Sequence, residues 1–320
     1  MRAWIKRIPI PMAGLTLGLA ALGNLLQSYS ETLRWVCGGL SAVLWLLVVA
    51  RVVLCREETK RDLGNSILAS VSATIFMTAM QLAAYAQPFL GRAALVLWCA
   101  AVACHGALIV WFTWRYLRRF RLSEVYPTYF IAYVGIVVAS VTSPTFGMEA
   151  LGTAIFWFGF AAYMVMLVLV TVRYCKIAVA DSAKPLFCIY TAPMSLSLAG
   201  YLSAVEPKSV PFLIALEIAA QILLLVVLSQ LPKLLRLPFY PSYAAFTFPF
   251  VITAFALKKL LAWFAAAGYT VPVFLEAVLV VETILATVMV GYALVRYLMY
   301  LFGGVRLPIP AAQRTVDSAE

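Results

Sequence analysis

Ten apolar runs recur along the chain, each close to the length of a bilayer crossing. They lie at about 10–29, 33–54, 65–86, 91–114, 127–143, 148–172, 185–203, 210–230, 242–263 and 272–300. The hydrocarbon core of a membrane is about 30 Å thick, so a crossing helix needs roughly 20 apolar residues. Inside lipid every backbone N–H and C=O must find its partner within the protein, which leaves helices as the structure for runs of this length. The expected fold is therefore an all-α membrane protein of ten transmembrane helices. The connectors are too short to hold a soluble domain, so residues 1–320 read as a single transmembrane channel domain with short ends at about 1–9 and 304–320. A spacing of about 32 residues per helix and about 64 per pair suggests five helical hairpins.

Composition removes the competing classes. The chain is 64% hydrophobic and 12% charged, with a mean hydropathy of +0.97. No soluble domain of this length has that balance. The net charge of +11 is consequently no nucleic-acid signal, because basic residues of a membrane protein gather in cytoplasmic connectors beside anionic lipid. Arg2, Lys6 and Arg7 precede the first run. Arg51, Arg56, Lys60 and Arg61 follow the second, Arg115, Arg118, Arg119 and Arg121 the fourth, and Arg173, Lys176 and Lys184 the sixth. Lys233 and Arg236 follow the eighth, and Arg296, Arg306 and Arg314 the tenth. The other side receives only Arg34, Arg92, Lys208, Lys258 and Lys259 of the 24 basic residues. This bias predicts that both termini are cytoplasmic and that the number of crossings is even. The six cysteines form no CxxC pair and read as small buried apolar residues. The basic N-terminus ends in no small-residue cleavage site, so it reads as the lead into the first helix.

The runs alternate in character. Odd-numbered runs carry more small, hydroxyl and proline residues, such as Pro11, Gly14, Thr16 and Gly18 in the first and Pro193, Ser195, Ser197 and Gly200 in the seventh. Even-numbered runs are plainly apolar. An inner ring of five helices and an outer ring of five would sort residues in this way. Gly14 and Gly18 form a GxxxG spacing, which serves close helix packing. The ninth run, PSYAAFTFPFVITAFALKK at 241–259, places Pro249 among Phe246, Phe248 and Phe250. A proline there removes a backbone donor and should kink the helix. Such a broken aromatic helix either lines a conduction path or is a kinked packing helix.

No catalytic constellation, cofactor motif or metal-ligand set is present. His105 is the one histidine, in the fourth run, and reads as a packing residue. The odd runs hold no acidic or basic residue at depth. Binding without a fixed charge is weak enough to release an ion, which suits conduction better than tight capture. Lys258 and Lys259 stand near the outer end of the ninth run, as attractors of anions or as anchors at the interface. Glu217, Glu276 and Glu282 lie in the eighth and tenth runs. Glu282 falls near mid-membrane, where a carboxyl serves either a proton-linked transporter or a hydrogen-bonded helix contact.

Three segments carry a resemblance. RIPIPMAGLTLGLAALGNLL (7–26), AKPLFCIYTAPMSLSLAGYLS (183–203) and FTFPF (246–250) resemble the first, seventh and ninth helices of the family containing bacterial tellurite-resistance membrane proteins and plant guard-cell slow anion channels. The resemblance implies a central pore through five hairpins and a homotrimer in the bacterial inner membrane, surrounded by lipid. It implies passive flux of small anions such as chloride or nitrate, or alternatively secondary transport of organic acids or tellurite-type oxyanions. Phe248 falls on the position of the pore-plugging phenylalanine, and Pro193 and Pro249 on the helix kinks. Gly14, Gly18, Ser72, Gly135, Ser195 and Thr247 become the candidates for lining the lumen. The chain departs from the family where prolines are frequent in the third and fifth helices. Ser72 and Ala132 stand near those places, which leaves the form of the pore on those sides open.

Overall fold

In the computed structural model, residues 2–303 are described; the charges expected at Arg306 and Arg314, and the tail that carries them, lie outside the described residues. Among the described residues the secondary structure is helical throughout. Among the described residues nine helices are long and apolar enough to cross a membrane. They are α2 (Glu31–Leu54), α3 (Ser66–Leu90), α4 (Arg92–Leu117), α5 (Thr128–Phe146), α6 (Glu149–Lys176), α7 (Asp181–Ala204), α8 (Val210–Leu234), α9 (Pro241–Ala266) and α10 (Val273–Phe302). Ahead of them stands a shorter apolar helix, α1 (Met12–Leu26). Its 15 residues span only about 22 Å at 1.5 Å per residue, less than the bilayer core. The expected run at 10–29 is trimmed because Pro9 and Pro11 cannot sit inside a regular helix, which therefore begins at Met12.

Burial separates the helices into two sets. In α2, α4, α6, α8 and α10 only 28–33% of the apolar window is buried, against 61–89% in α3, α5, α7 and α9. In α1 every residue except Asn24 and Leu26 is buried. The buried helices close a circuit. α1 packs on α3, α3 on α5, α5 on α7, α7 on α9, and α9 returns to α1. Each exposed helix packs against the buried helix that precedes it in sequence. The small residues of the odd helices make this circuit possible. A Cβ on Gly18 would stand 2.5 Å from Thr247 Cβ, so α1 and α9 meet at that bare backbone.

The five buried helices run in one direction, because the connectors that lead into them gather at one end. Lys6 pairs with Glu58, Ser66 Oγ donates to the Glu124 carbonyl at 2.8 Å, and Ser242 Oγ donates to the Ser182 carbonyl at 2.7 Å. The Trp4 and Phe302 rings meet at 5.9 Å, and Tyr300 Oη donates to the Arg7 carbonyl at 3.4 Å. The chain's beginning and the end of α10 therefore share that end of the bundle.

The buried helices are also broken, and not only at proline. In α7 a tight turn of helix over Asp181–Thr191 widens into regular helix at Ala192. In α9 the tight segment Pro241–Phe246 ends at Thr247, whose φ of −106° and ψ of −91° interrupt the coil before Phe248–Ala266. Pro193 and Pro249 stand immediately after these breaks. Each sits in the first turn of the regular segment, where the missing N–H has no intrahelical partner to lose. α3 breaks at Ser72 and α5 tightens at Gly135–Val137 without any proline. In α3 the cause is local competition for carbonyls. Ser70 Oγ donates to Ser66, Ser72 Oγ to Ala69 and Thr74 Oγ1 to Val71, at 2.6–2.7 Å.

Side chains of neighbouring helices occupy exposed acceptors along these segments. Ser41 Oγ donates to the Thr16 carbonyl at 2.7 Å and Trp45 Nε1 to that of Ile75 at 2.9 Å. His105 is fully buried, with Nε2 3.0 Å from the Ala132 carbonyl just before the tightened turn of α5. It packs there, and among the described residues it belongs to no group of three or more ligating side chains. Lys258 Nζ donates to the Leu25 carbonyl and to Ser28 Oγ, both at 2.6 Å, and so holds the C-terminal end of α1. That anchoring engages the lysine that the sequence left between attractor and anchor.

Candidate pore

Two cavities lie inside the circuit of buried helices. The larger, of about 290 Å³, is bordered by the N-terminal halves of all five: Gly14 and Leu17 of α1, Thr74 of α3, Gly135 of α5, Pro193 of α7 and Pro249 of α9 among others. It reaches the surface at Asn65 and Ser182, which are exposed. The smaller, of about 30 Å³, is bordered further along the same helices by Ala21 and Asn24, Gln81, Val138, Val141 and Thr142, and Ile252 and Phe255. Because the helices are parallel, rising residue number means progress along one axis, and the cavities are stacked on it.

Among the described residues, only Leu196 of α7 and Phe248 of α9 border both cavities. Leu196 is 2% exposed and Phe248 6%. The two apolar side chains occupy the level at which one cavity gives way to the next. Phe248 reaches that level because the break at Thr247 ends the tight segment and Phe248 opens the regular one. Phe246 and Phe250 border neither cavity. They are buried at 0% and 1% exposure, and the Phe246 ring packs 4.8 Å from Tyr243.

The other candidates separate by what their small side chains do. Gly14 and Gly135 border the larger cavity, as do both prolines. A Cβ on Gly135 would stand 2.6 Å from Met77 Sδ, so the bare backbone keeps α3 and α5 close at the wall. Gly18, Ser72, Ser195 and Thr247 border neither cavity; Gly18, Ser195 and Thr247 lie at helix contacts, and Ser72 Oγ bonds within its own helix. Ser195 Oγ donates to the Thr191 carbonyl at 2.9 Å and lies 3.0 Å from Thr253 Oγ1. Thr247 Oγ1 is within bonding distance of the Ala244 and Gly14 carbonyls, at 2.7 and 3.0 Å. In an apolar setting a hydroxyl satisfies the nearest backbone carbonyl first, which turns it away from an open lumen.

The sequence pattern of the SLAC1 family, described as voltage-dependent anion channel, matches residues 7–298. The chain belongs to the voltage-dependent anion channel family. Among curated proteins, none matches it. As a member of this family the chain is an integral membrane protein of anion transport, and the family is one of membrane channels and transporters rather than of enzymes.

The lining is neutral: among the described residues, no charged side chain borders either cavity. Glu282 is 4% exposed and lies on α10, outside both cavities, where its Oε1 accepts from Gln221 Nε2 at 2.7 Å. The same Nε2 donates to Glu217 Oε1 at 2.7 Å, so the three side chains tie α8 to α10. Leu196, Asn24 and Gln81 escaped the reading of the sequence. Asn24 and Gln81 carried a usable signal, as amides inside otherwise apolar odd-numbered runs. Leu196 carried none, being one leucine among many.

Proposed function

We propose that the protein is an anion-selective channel that passes small anions such as chloride or nitrate passively, and that Phe248, at the level it shares with Leu196, is its gate. One observation carries the reading: the two stacked cavities share only these two apolar side chains. A hydrated anion cannot shed its water against an aromatic ring and a leucine that offer no donor, so such a constriction blocks ions by dewetting. The neutral lining fits an ion that must enter and leave quickly. The 30 Å³ of the smaller cavity favours inorganic anions over organic acids.

The whole of 1–320 serves as one transmembrane unit of ten crossings in five hairpins, with α1 as the shortest crossing. The shared end of the chain's beginning and α10 supports an even count. The basic connectors at that end support cytoplasmic termini in the inner membrane. The apolar faces of the exposed helices suit lipid and a homotrimer, whose mass would be about three times 35.1 kDa.

The test is electrical. Purified Phe248→Ala protein in a planar bilayer should pass a current that reverses at the chloride equilibrium potential. A saturable flux that vanishes without a proton gradient would replace this reading with a coupled transporter.

A further inference from the structure

We propose that Asn24 and Gln81 form an anion-binding site just beyond the constriction, holding one partly dehydrated monovalent inorganic anion on amide N–H groups. The proposal rests on reading the two cavities as one path. Asn24 of α1 and Gln81 of α3 both border the smaller cavity. Asn24 Nδ2 donates to Gln81 Oε1 at 3.2 Å. Two amides carry four N–H donors, and this bond uses one. Three remain, against one uncommitted amide oxygen, and the count is unchanged if both amides are flipped.

These donors sit where they need a partner. Gln81 is 6% exposed, and an uncompensated N–H in an apolar wall is costly. The other polar group at the cavity is already engaged: Thr142 Oγ1 donates to the Val138 carbonyl at 2.8 Å and accepts from Trp98 Nε1 at 2.8 Å. The remaining walls, Ala21, Val138, Val141, Ile252 and Phe255, offer no competing acceptor from their side chains. No carboxylate borders the cavity, so a cation would find one uncommitted amide oxygen against three amide N–H donors. The cavity's 30 Å³ exceeds the ~10–15 Å³ that a single water needs, which suits an ion of halide size. Neutral donors also hold an anion loosely enough for it to leave. The amides would recover part of the hydration that the anion gives up at Leu196 and Phe248, which makes the site the place of discrimination among anions.

The experiment uses bromide as the probe. Crystals of the full chain grown in bromide should show an anomalous peak within hydrogen-bond reach of both amides. Gln81→Glu, nearly isosteric, replaces the amide nitrogen and its two donors by one carboxylate oxygen and should abolish the peak. Asn24→Asp serves in the same way should the first variant fold poorly. In the Phe248→Ala background either change should lower chloride current at least tenfold. No peak between the amides, in crystals that hold bromide elsewhere, overturns the site. A peak that survives both acidic substitutions overturns it equally. A bromide peak in place with no current from Phe248→Ala would sink the channel reading and leave the site standing.

Discussion

Replacing Phe248 by alanine separates a gate from a packing residue, because the two roles move different observables. The side chain borders cavities on both sides along the axis, so it lacks packing partners in those directions. A buried Phe→Ala change costs about 3–5 kcal/mol, and the missing contacts place this one near or below the lower bound. The conductance effect follows from hydration. If the space vacated by the ring lets a passing anion keep one water contact, the barrier falls by about 1.5–3 kcal/mol, the net worth of a hydrogen bond to a charged group. That corresponds to a rise in current of roughly 10- to 100-fold. Phe246→Ala and Phe250→Ala are the controls. Both rings are fully buried away from the cavities, so these variants should lose stability and gain no current. Single-channel recording of the three purified variants, each with a melting curve, checks the pattern. A Phe248→Ala protein that folds, stays as quiet as wild type and has lost the full packing energy would refute the reasoning.

Three further outcomes are expected. Leu196→Ala should raise current less than Phe248→Ala does, by roughly tenfold or less, equivalent to about 1.4 kcal/mol of barrier; recordings in which it opens the path fully and Phe248→Ala does not would assign the gate to the leucine. Glu282→Gln should leave flux and its dependence on pH unchanged, because an amide oxygen can accept the same bond from Gln221; loss of a proton-driven uptake in vesicles would contradict this. A reporter active only in the periplasm, fused to the C-terminus, should give no signal, and a strong signal would overturn the orientation drawn from the basic residues.

Much of the architecture was legible because it rests on length and polarity. Apolar runs of bilayer length mark helices whatever their neighbours do, and the contrast between odd and even runs foretold which of them would be buried. The first run was overestimated for a reason visible in the chain, since Pro9 and Pro11 close off its start. The breaks in α3 and α5 were harder to read. They depend on serine and threonine hydroxyls competing for nearby carbonyls and on a glycine under Met77, and such competition has no fixed spacing. The same competition explains why hydroxyl residues were poor guides to the lumen. Ser195 and Thr247 look like pore polarity in the sequence, yet their oxygens lie against backbone. Leu196 and Gln81 take their positions from the rotation of broken helices, which hydropathy does not encode.

Electrostatics then divides between the two ends of the path. The basic residues concentrate in the connectors around the larger cavity's end of the bundle, where they outnumber the acidic ones, and several are tied up by neighbours: Lys6 by Glu58, Arg51 by Asp62 and Lys184 by Asp181. Their surplus charge acts through water, where screening limits its reach to about 8 Å at physiological salt. It can raise the anion concentration at the mouth and hence the rate of entry. It cannot distinguish one monovalent anion from another at the constriction, since all carry the same charge. In the proposed channel, discrimination comes from what replaces the lost hydration, and among side chains at the smaller cavity the amides of Asn24 and Gln81 are the donors left uncommitted. On the proposed reading, charges at the entrance set the rate and neutral groups inside set the selectivity. Removing basic connector residues should therefore lower conductance at low salt while leaving the order of permeant anions unchanged.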